Sequence, residues 1–242
     1  MGKLDGRVAI ITGATRGLGR ALASALDREG AELVLAARGA AGLEDAARAF
    51  PRALTVVADM REPRDLERLV SMAMDTFGRI DILVNNASEL GPTPLAGLTD
   101  TEAATLEDVL KVNLVAPFIL TRAVLGGMRM RRSGVVVNVT SDAAVNGYPG
   151  WGAYSASKSG LEGLTRVWAA ELEGTGVRIH AVDPGDMDTD MHRAADPDAD
   201  PADLLRPELS AQRLLALIVD DGARLGRPRM EAVELATDDS DA

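Results

Sequence analysis

The chain has 242 residues, with 26 Lys and Arg against 37 Asp and Glu, and no cysteine. The lack of cysteine excludes disulfide bonds, a thiol nucleophile and the Cys-based zinc and iron–sulfur sites. A net charge of −11 is a poor match for a nucleic acid, whose phosphates bind basic surfaces. The first residues lack the layout of a signal peptide, and no apolar run approaches the roughly 18 residues of a membrane span. These features predict a cytoplasmic protein without nucleic-acid or membrane partners.

Short apolar segments alternate with longer helical patterns along most of the chain. The apolar segments predict strands at residues 7–12, 32–37, 53–58, 80–85, 134–140 and 177–182. Each is nearly all apolar, which is typical of strands buried on both faces of a parallel sheet. Helices are predicted between them at residues 18–30, 40–50, 63–78, 101–131 and 153–174. The alternation predicts an α/β fold with a doubly wound, Rossmann-type parallel sheet of about seven strands in a single domain, residues 1–236.

The alternation stops after residue 182. The following stretch is rich in Pro and Asp and predicts a lid over residues 186–206. A helix at 207–219, a last strand at 230–235 and an acidic, disordered tail at 237–242 complete the prediction. Residues 196–200 look like the start of a calcium loop, but Pro201 stands where the loop needs Gly and Pro207 where it needs Glu. We therefore predict no metal site.

A glycine-rich turn, TGATRGLG at residues 12–19, joins the first predicted strand to the first predicted helix. Glycine allows a tight turn and close approach to a pyrophosphate, and a helix N-terminus offers free N–H groups and the positive end of its dipole. The turn predicts a dinucleotide site, although such a turn can also be purely structural. The candidate contacts are Gly13, Thr15, Arg16, Gly17, Leu18 and Gly19.

The end of the second strand indicates which dinucleotide binds. An acid at this position would hold the ribose 2′-hydroxyl of NAD(H) and repel a 2′-phosphate. Here Arg38 follows Ala36 and Ala37, and no acid is present. Arg38 and Arg16 are suited to a 2′-phosphate, although both could simply be solvated. The sequence thus favours NADP(H), with NAD(H) the weaker alternative.

Tyr154 and Lys158 are four residues apart on a predicted helix, so both lie on one face. Lysine is scarce: the chain has only Lys3, Lys111 and Lys158. A free phenol has a pKa of about 10. An ammonium 4–5 Å away contributes roughly 3–4 kcal/mol at an effective dielectric near 20, which stabilises the phenolate, while burial opposes this. The pair therefore predicts a proton-transfer site with a lowered tyrosine pKa.

Together these motifs resemble the short, single-domain branch of the short-chain dehydrogenase/reductase family, over about residues 5–190. The resemblance rests on the glycine turn, Asp59, the NNAS motif at 85–88, Asn113, Ser141, the Tyr154-x-x-x-Lys158 pair, and Pro184-Gly185 with Thr189. It implies that Asn113, Ser141, Tyr154 and Lys158 are catalytic. It also implies cofactor contacts from Asp59, Met60, Asn85, Asn86, Ala87, Tyr154, Lys158, Pro184, Gly185 and Thr189.

In the family's mechanism, Tyr154 exchanges the proton of the substrate oxygen, Ser141 hydrogen-bonds that oxygen, and Lys158 lowers the tyrosine pKa and holds the nicotinamide ribose. Asn113 is expected to hold a water for a proton relay. Pro117, four residues later, has no N–H and so frees the Asn113 carbonyl, although a simple helix kink would give the same sequence.

Three features depart from the family pattern. Ser88 stands where Gly is usual and is expected to alter the loop beside the cofactor, and His180 replaces a common Asn as a buried strand residue. The C-terminal strand is reduced, which puts a tetramer in doubt but leaves a homodimer through the helices of Asn113 and Tyr154. The expected substrate pocket is formed by Val145, Tyr148, Trp151, Met187, Met191 and residues 89–97.

These observations predict an NADP(H)-dependent oxidoreductase that moves a hydride between the nicotinamide and a small carbonyl compound or secondary alcohol. The competing hypothesis is a dinucleotide-binding sensor or scaffold without turnover. That alternative would predict a damaged Ser141, Tyr154 or Lys158, and all three are intact.

Overall fold

The computed structural model describes residues 2–220 and 227–235. In this part of the chain seven strands form one parallel sheet in the order β3-β2-β1-β4-β5-β6-β7. The strands are β1 (Val8–Thr12), β2 (Glu32–Ala37), β3 (Leu54–Val57), β4 (Ile82–Asn85), β5 (Gly134–Val139), β6 (Val177–Asp183) and β7 (Arg229–Glu231). The main helices are α1 (Gly17–Arg28), α2 (Ala40–Ala49), α3 (Pro63–Phe77), α4 (Ala103–Leu110), α5 (Ala116–Arg131), α6 (Gly152–Glu171), α7 (Asp190–Ala195) and α8 (Pro207–Val219).

The predicted doubly wound sheet is confirmed, since β1 pairs with β2 on one side and with β4 on the other. Two apolar layers cover the sheet. Helices α1, α2 and α8 pack on one face, and α3, α5 and the end of α6 pack on the other. Strand residues such as Ile10, Leu35 and Val84 are fully buried, and each contributes roughly 1.5–3 kcal/mol by leaving water. The strand order reverses at the β1–β4 boundary, where an open α/β sheet binds its ligands.

The C-terminal part differs in detail from the prediction. The predicted strand at 230–235 is a three-residue strand, β7, followed by a 3₁₀ turn at Ala232–Leu235. The predicted lid at 186–206 contains the short helix α7, where the Thr189 hydroxyl accepts the His192 N–H as an N-terminal cap. A helix of six residues is too short to show a period, so it cannot be read from the pattern. The predicted tail at 237–242 lies outside the described residues.

The predicted helix at 101–131 is continuous but irregular. A π-helical turn at Lys111–Val115 joins α4 to α5, just before Pro117. By length and apolar composition, Ala103–Arg131 is also sufficient to cross a membrane, a feature that a search for uninterrupted apolar runs misses. Its inner side, including Leu120, Val124 and Met128, forms part of the core against the sheet, and a buried core helix passes the same test.

Helix α6 only partly follows its predicted apolar stripe. Leu161 and Leu172 are buried, whereas Leu164 and Trp168 are half-buried. Most of the buried inner face is polar instead, and it carries Tyr154, Ser157, Lys158, Glu162 and Thr165. A helix with this composition is positioned by hydrogen bonds as well as by apolar packing.

Candidate active site

The glycine turn packs closely against the loop after β4. Gly13 has φ +67°, and the Asn86 side-chain amide donates to the Thr12 carbonyl at 2.9 Å and to the Gly13 carbonyl at 3.2 Å. A Cβ at position 19 would lie 2.3 Å from the Gly13 oxygen, so only glycine fits there. Helix α1 begins at Gly17 without a side-chain cap. Its first N–H groups are therefore available to an anion, which fits the pyrophosphate of a dinucleotide.

A cleft of about 1260 Å³ runs from this turn to Tyr154 and Lys158. Most of the predicted cofactor contacts line it: Gly13, Thr15, Arg16, Gly17, Leu18, Arg38, Asp59, Met60, Asn86, Ala87, Tyr154, Lys158, Pro184, Gly185 and Thr189. Ser141 lines it as well, whereas Gly19 and Asn113 do not. Gly19 acts through close packing on Gly13.

The predicted role of Asn85 in lining the cleft is wrong. Its side chain is buried at the end of the central strand β4, where it donates to Asn138 Oδ1 at 2.7 Å and to Thr121 Oγ1 at 3.2 Å. The reason is the alternation of side chains along a strand, which sends Asn85 into the core and leaves Asn86 at the cleft. The sequence motif alone does not distinguish the two asparagines.

Tyr154 and Lys158 are both buried and lie at the inner end of the cleft. The Lys158 ammonium donates to the Val139 carbonyl at 2.8 Å and lies 5.3 Å from the centre of the Tyr154 ring. The edge of Trp151 packs against the same ring. Ser141 lies at the end of β5, where its hydroxyl accepts the Ala143 N–H and donates to Asp142, each at 3.1 Å.

The lowered tyrosine pKa that the sequence predicts is not found. Burial raises the pKa of Tyr154 to about 12, and hydrogen bonds with the Ser88 and Ser141 hydroxyls offset this only in part. Burial also lowers the pKa of Lys158 to about 8, with the Asp183 carboxylate opposing the change. The cost of removing each charge from water exceeds the attraction between them, because the ammonium is directed to the Val139 carbonyl.

Asn113, in the π-helical turn, uses its side chain to hold the loop after β4. Its Oδ1 accepts the Glu89 N–H at 2.8 Å and the Ser88 hydroxyl at 3.2 Å. Its amide group donates to the Glu89 carbonyl at 2.8 Å and to Ser157 Oγ at 3.0 Å. Ser88, the departure from the family pattern, is thus part of a hydrogen-bond network. The water relay at the Asn113 carbonyl stays a prediction.

The predicted substrate pocket is partly correct. Trp151, Met187 and Met191 line the cleft, together with residues 89–91 and 93. Val145 and Tyr148 do not; both are exposed, and the Tyr148 hydroxyl donates to Asp142 at 2.5 Å. His180 is buried on β6, with Nδ1 2.9 Å from the Arg227 carbonyl. Within the described ranges no group of three acidic or histidine side chains is placed to hold a metal.

Sequence reasoning missed a charged cluster behind the catalytic pair. Glu162 is buried and accepts from Arg229 Nε at 3.1 Å and from the Thr140 hydroxyl at 2.9 Å. Arg229 also lies 3.6 Å from Asp183, which lines the cleft and whose pKa is raised by burial. The only available signal was an acid at the end of a predicted strand, next to Pro184-Gly185.

It also missed the charges at the outer end of the cleft. Arg61 forms a bidentate ion pair with Asp59, in which Nη2 lies 2.9 Å from the carboxylate. Arg38 lies 3.8 Å from Glu89, and Arg16 lies 3.3 Å from Asp190 on α7. Both arginines expected at a 2′-phosphate therefore face carboxylates across the cleft.

A doubly wound sheet, an uncapped helix at a glycine turn, and a buried tyrosine–lysine pair in one cleft define a dinucleotide-binding oxidoreductase. The model of the family described as short chain dehydrogenase matches residues 7–200. The chain belongs to this family, and the predicted resemblance is confirmed. It is therefore an NAD(P)-dependent oxidoreductase of the C=O/CH–OH class, and the sensor alternative is not favoured.

Three relatives illustrate the similarity. The 3-oxoacyl-[acyl-carrier-protein] reductase FabG of Vibrio cholerae is 33% identical over 96% of this chain and 89% of its own. The 2-(R)-hydroxypropyl-CoM dehydrogenase of Xanthobacter autotrophicus is 36% identical over 76% of each chain. A short chain dehydrogenase from Shigella flexneri, solved with NADP, has a TM-score of 0.88 at 28% identity, covering 95% of this chain and 98% of its own.

Proposed function

We propose that this protein is an NADPH-dependent reductase that converts a small carbonyl compound to a secondary alcohol. The observation that carries the proposal is the single cleft that joins the anion-binding turn at Gly17 to the buried Tyr154–Lys158 pair. When bound, the cofactor supplies a hydride to the carbonyl carbon. The protein's own residues supply the proton and stabilise the developing charge.

Tyr154 is the proton donor. Because burial raises its pKa to about 12, the phenol carries its proton at neutral pH and can give it to the carbonyl oxygen. The Ser141 hydroxyl turns from Asp142 to donate to the same oxygen, and the Lys158 ammonium stabilises the phenolate that remains. Asn113 positions the loop at Ser88 and Glu89 beside them.

The preference for NADP(H) is supported by Arg38, which follows β2 without an acid, and by Arg16 in the glycine turn. Arginine pairs well with phosphate oxygens. The Shigella flexneri relative was solved with NADP. The relatives named for 3-oxoacyl-[acyl-carrier-protein] and 2-(R)-hydroxypropyl-CoM indicate that the substrate varies within the family, so we propose the class of reaction rather than one substrate.

We further propose a cytoplasmic homodimer. Phe118 on α5 stacks on Trp168 of α6 at 5.6 Å, and Val115 and Val167 beside them are 44% and 57% exposed. An apolar face across two adjacent helices is suited to a second copy of the chain. The short strand β7 offers little edge for a tetramer.

The two tyrosines of the chain provide a matched test of the catalytic assignment. Tyr154→Phe should lower the turnover of a carbonyl panel with NADPH by about 10²–10⁴-fold, the usual contribution of a general acid. It should leave the NADPH dissociation constant unchanged, because only the hydroxyl is removed. Tyr148→Phe, outside the cleft, should change turnover by less than about twofold. Wild-type turnover in Tyr154→Phe would contradict the assignment.

A further inference from the structure

The outer end of the cleft contains an ion pair that the proposed function does not use. Arg38 stands directly after β2, where a doubly wound sheet reads the ribose 2′ position. Its guanidinium lies 3.8 Å from the Glu89 carboxylate. Glu89 Oε2 is buried and has no hydrogen-bond partner among the described residues. The pair is thus close enough for charge attraction but too long for a hydrogen bond.

Glu89 is held in this place from its backbone. The Asn113 side chain accepts its N–H at 2.8 Å and donates to its carbonyl at 2.8 Å. These two bonds fix both sides of the residue, and its side chain is only 26% exposed. The backbone of Glu89 is therefore held in place, and its largely buried side chain lies beside Arg38.

The neighbouring charges indicate that Glu89 is the carboxylate that would compete with a 2′-phosphate for Arg38. Arg61 is committed to Asp59 through contacts from both Nε and Nη2. Arg38 also stabilises the Asp59 carboxylate, although more weakly than Arg61 does. Two cations thus face two carboxylates, and a 2′-phosphate adds further negative charge to this balanced set. Without an acid after β2, Glu89 is the carboxylate within 4 Å of the arginine expected to read the phosphate.

We propose that Glu89 sets the cofactor selectivity of this protein. Its carboxylate competes with the 2′-phosphate of NADP(H) for Arg38 and thereby reduces the preference for NADP(H) over NAD(H). The proposal rests on the proposed NADP(H) site and deepens it. A 2′-phosphate takes Arg38 from Glu89 and leaves that carboxylate beside the new charge, whereas NAD(H), which lacks the phosphate, leaves the Arg38–Glu89 pair intact.

The test is a fluorescence titration of the full chain with NADPH and with NADH, comparing wild type, Glu89→Gln and Glu208→Gln. Glu208 lines the same cleft, is exposed and has no ion pair among those described, so its variant controls for the change in net charge. Glu89→Gln should tighten NADPH binding about fivefold, which is the upper range for a partly exposed ion pair. NADH binding and the Glu208→Gln variant should change by less than about twofold.

Arg38→Ala and the double variant separate this inference from the function beneath it. In the Arg38→Ala background, Glu89→Gln should give no gain in NADPH affinity, because the competition needs the arginine. If Arg38→Ala does not weaken NADPH binding, the NADP(H) assignment itself is wrong. A different outcome is that Arg38→Ala weakens NADPH binding while Glu89→Gln binds NADPH no more tightly than Glu208→Gln, or binds NADH more weakly than wild type. In that case only the role of Glu89 is overturned.

Discussion

At the residue scale, the catalytic pair shows that burial and charge attraction act in opposite directions. The four-residue spacing of Tyr154 and Lys158 is a local feature, so the sequence predicts it directly. The balance of energies is not local. Burial raises the pKa of the phenol to about 12 and lowers the pKa of the ammonium to about 8, so burial shifts each group toward its neutral form.

The lowered pKa of Lys158 predicts the pH dependence of reduction. Its ammonium is present below pH 8 and is lost as the pH rises through about 8, whereas Tyr154 keeps its proton over the same range. We expect kcat/KM for NADPH-dependent reduction to fall with a midpoint near this value. Initial rates across the neutral and alkaline range measure it, with Tyr148→Phe as the control. A flat profile up to the usual lysine pKa of about 10.4 would contradict the assignment.

Ser88 adds a second pH prediction. Its hydroxyl hydrogen bond acts to lower the pKa of Tyr154, against the larger effect of burial. Asn113 Oδ1 keeps the Glu89 N–H when that hydroxyl turns to the phenolate. Ser88→Ala should therefore raise the pH midpoint of alcohol oxidation by about 0.5–1 pH unit, the net value of one hydrogen bond. Ser88→Thr, which keeps a hydroxyl, should restore it. Identical midpoints in all three proteins would rule out the contact.

At the element scale, strand β7 is short but carries a cation that pairs with largely buried carboxylates. Arg229 lies on this strand and approaches Glu162 of α6 and Asp183 of β6. Removing the cation leaves the largely buried Asp183 without its ion pair and Glu162 with only the longer contact to Arg166, at 3.8 Å. This gives a small C-terminal strand a defined structural role in holding the floor of the cleft.

Arg229→Met should lower the free energy of unfolding by about 2–3 kcal/mol, since breaking a buried ion pair costs several kcal/mol and Arg229 is partly exposed. Arg227→Met is the matched control. Its pair with Glu234 is 2.9 Å long but exposed, so it should cost less than about 1 kcal/mol. Urea unfolding midpoints measure both. Equal losses in the two variants would show that Arg229 is only another surface charge.

The elements that the sequence predicts well are those set by local pattern. Strands buried on both faces read as apolar runs, and the glycine turn is defined by neighbouring residues. Helix α7 is not predicted, because it depends on one Thr189 cap. The Glu162–Arg229 pair is not predicted either, because its members are 67 positions apart and meet only in the folded sheet. Arg38 and Glu89 similarly follow two different strands.

At the scale of the whole molecule, one apolar surface stands out on an otherwise acidic chain. It lies on α5 and α6, on the side of the sheet opposite α1 and α8. The Phe118–Trp168 stack and the exposed Val167 form its centre. Because α6 also carries Tyr154 and Lys158, association through this face would support the helix that holds the catalytic pair.

Sedimentation equilibrium should therefore give about twice the chain mass of 25.4 kDa. Val167→Asp should shift the population to monomer, since a charge is introduced at the centre of the apolar face. Met74→Lys, an exposed position on α3, should leave the dimer unchanged. A monomeric wild type, or a dimer that persists in Val167→Asp, would contradict the proposal.

The amide of Asn113 has a wider consequence. It joins Ser157, which precedes Lys158 on the catalytic helix, to the backbone of the residue that faces Arg38. Nucleotide discrimination and proton delivery thus both depend on the Asn113 side chain, and a substitution of Asn113 would alter both. A shorter side chain at position 113 would loosen both the loop at Glu89 and the helix that carries Lys158. Cofactor selectivity is therefore better re-engineered at Glu89 than at Asn113.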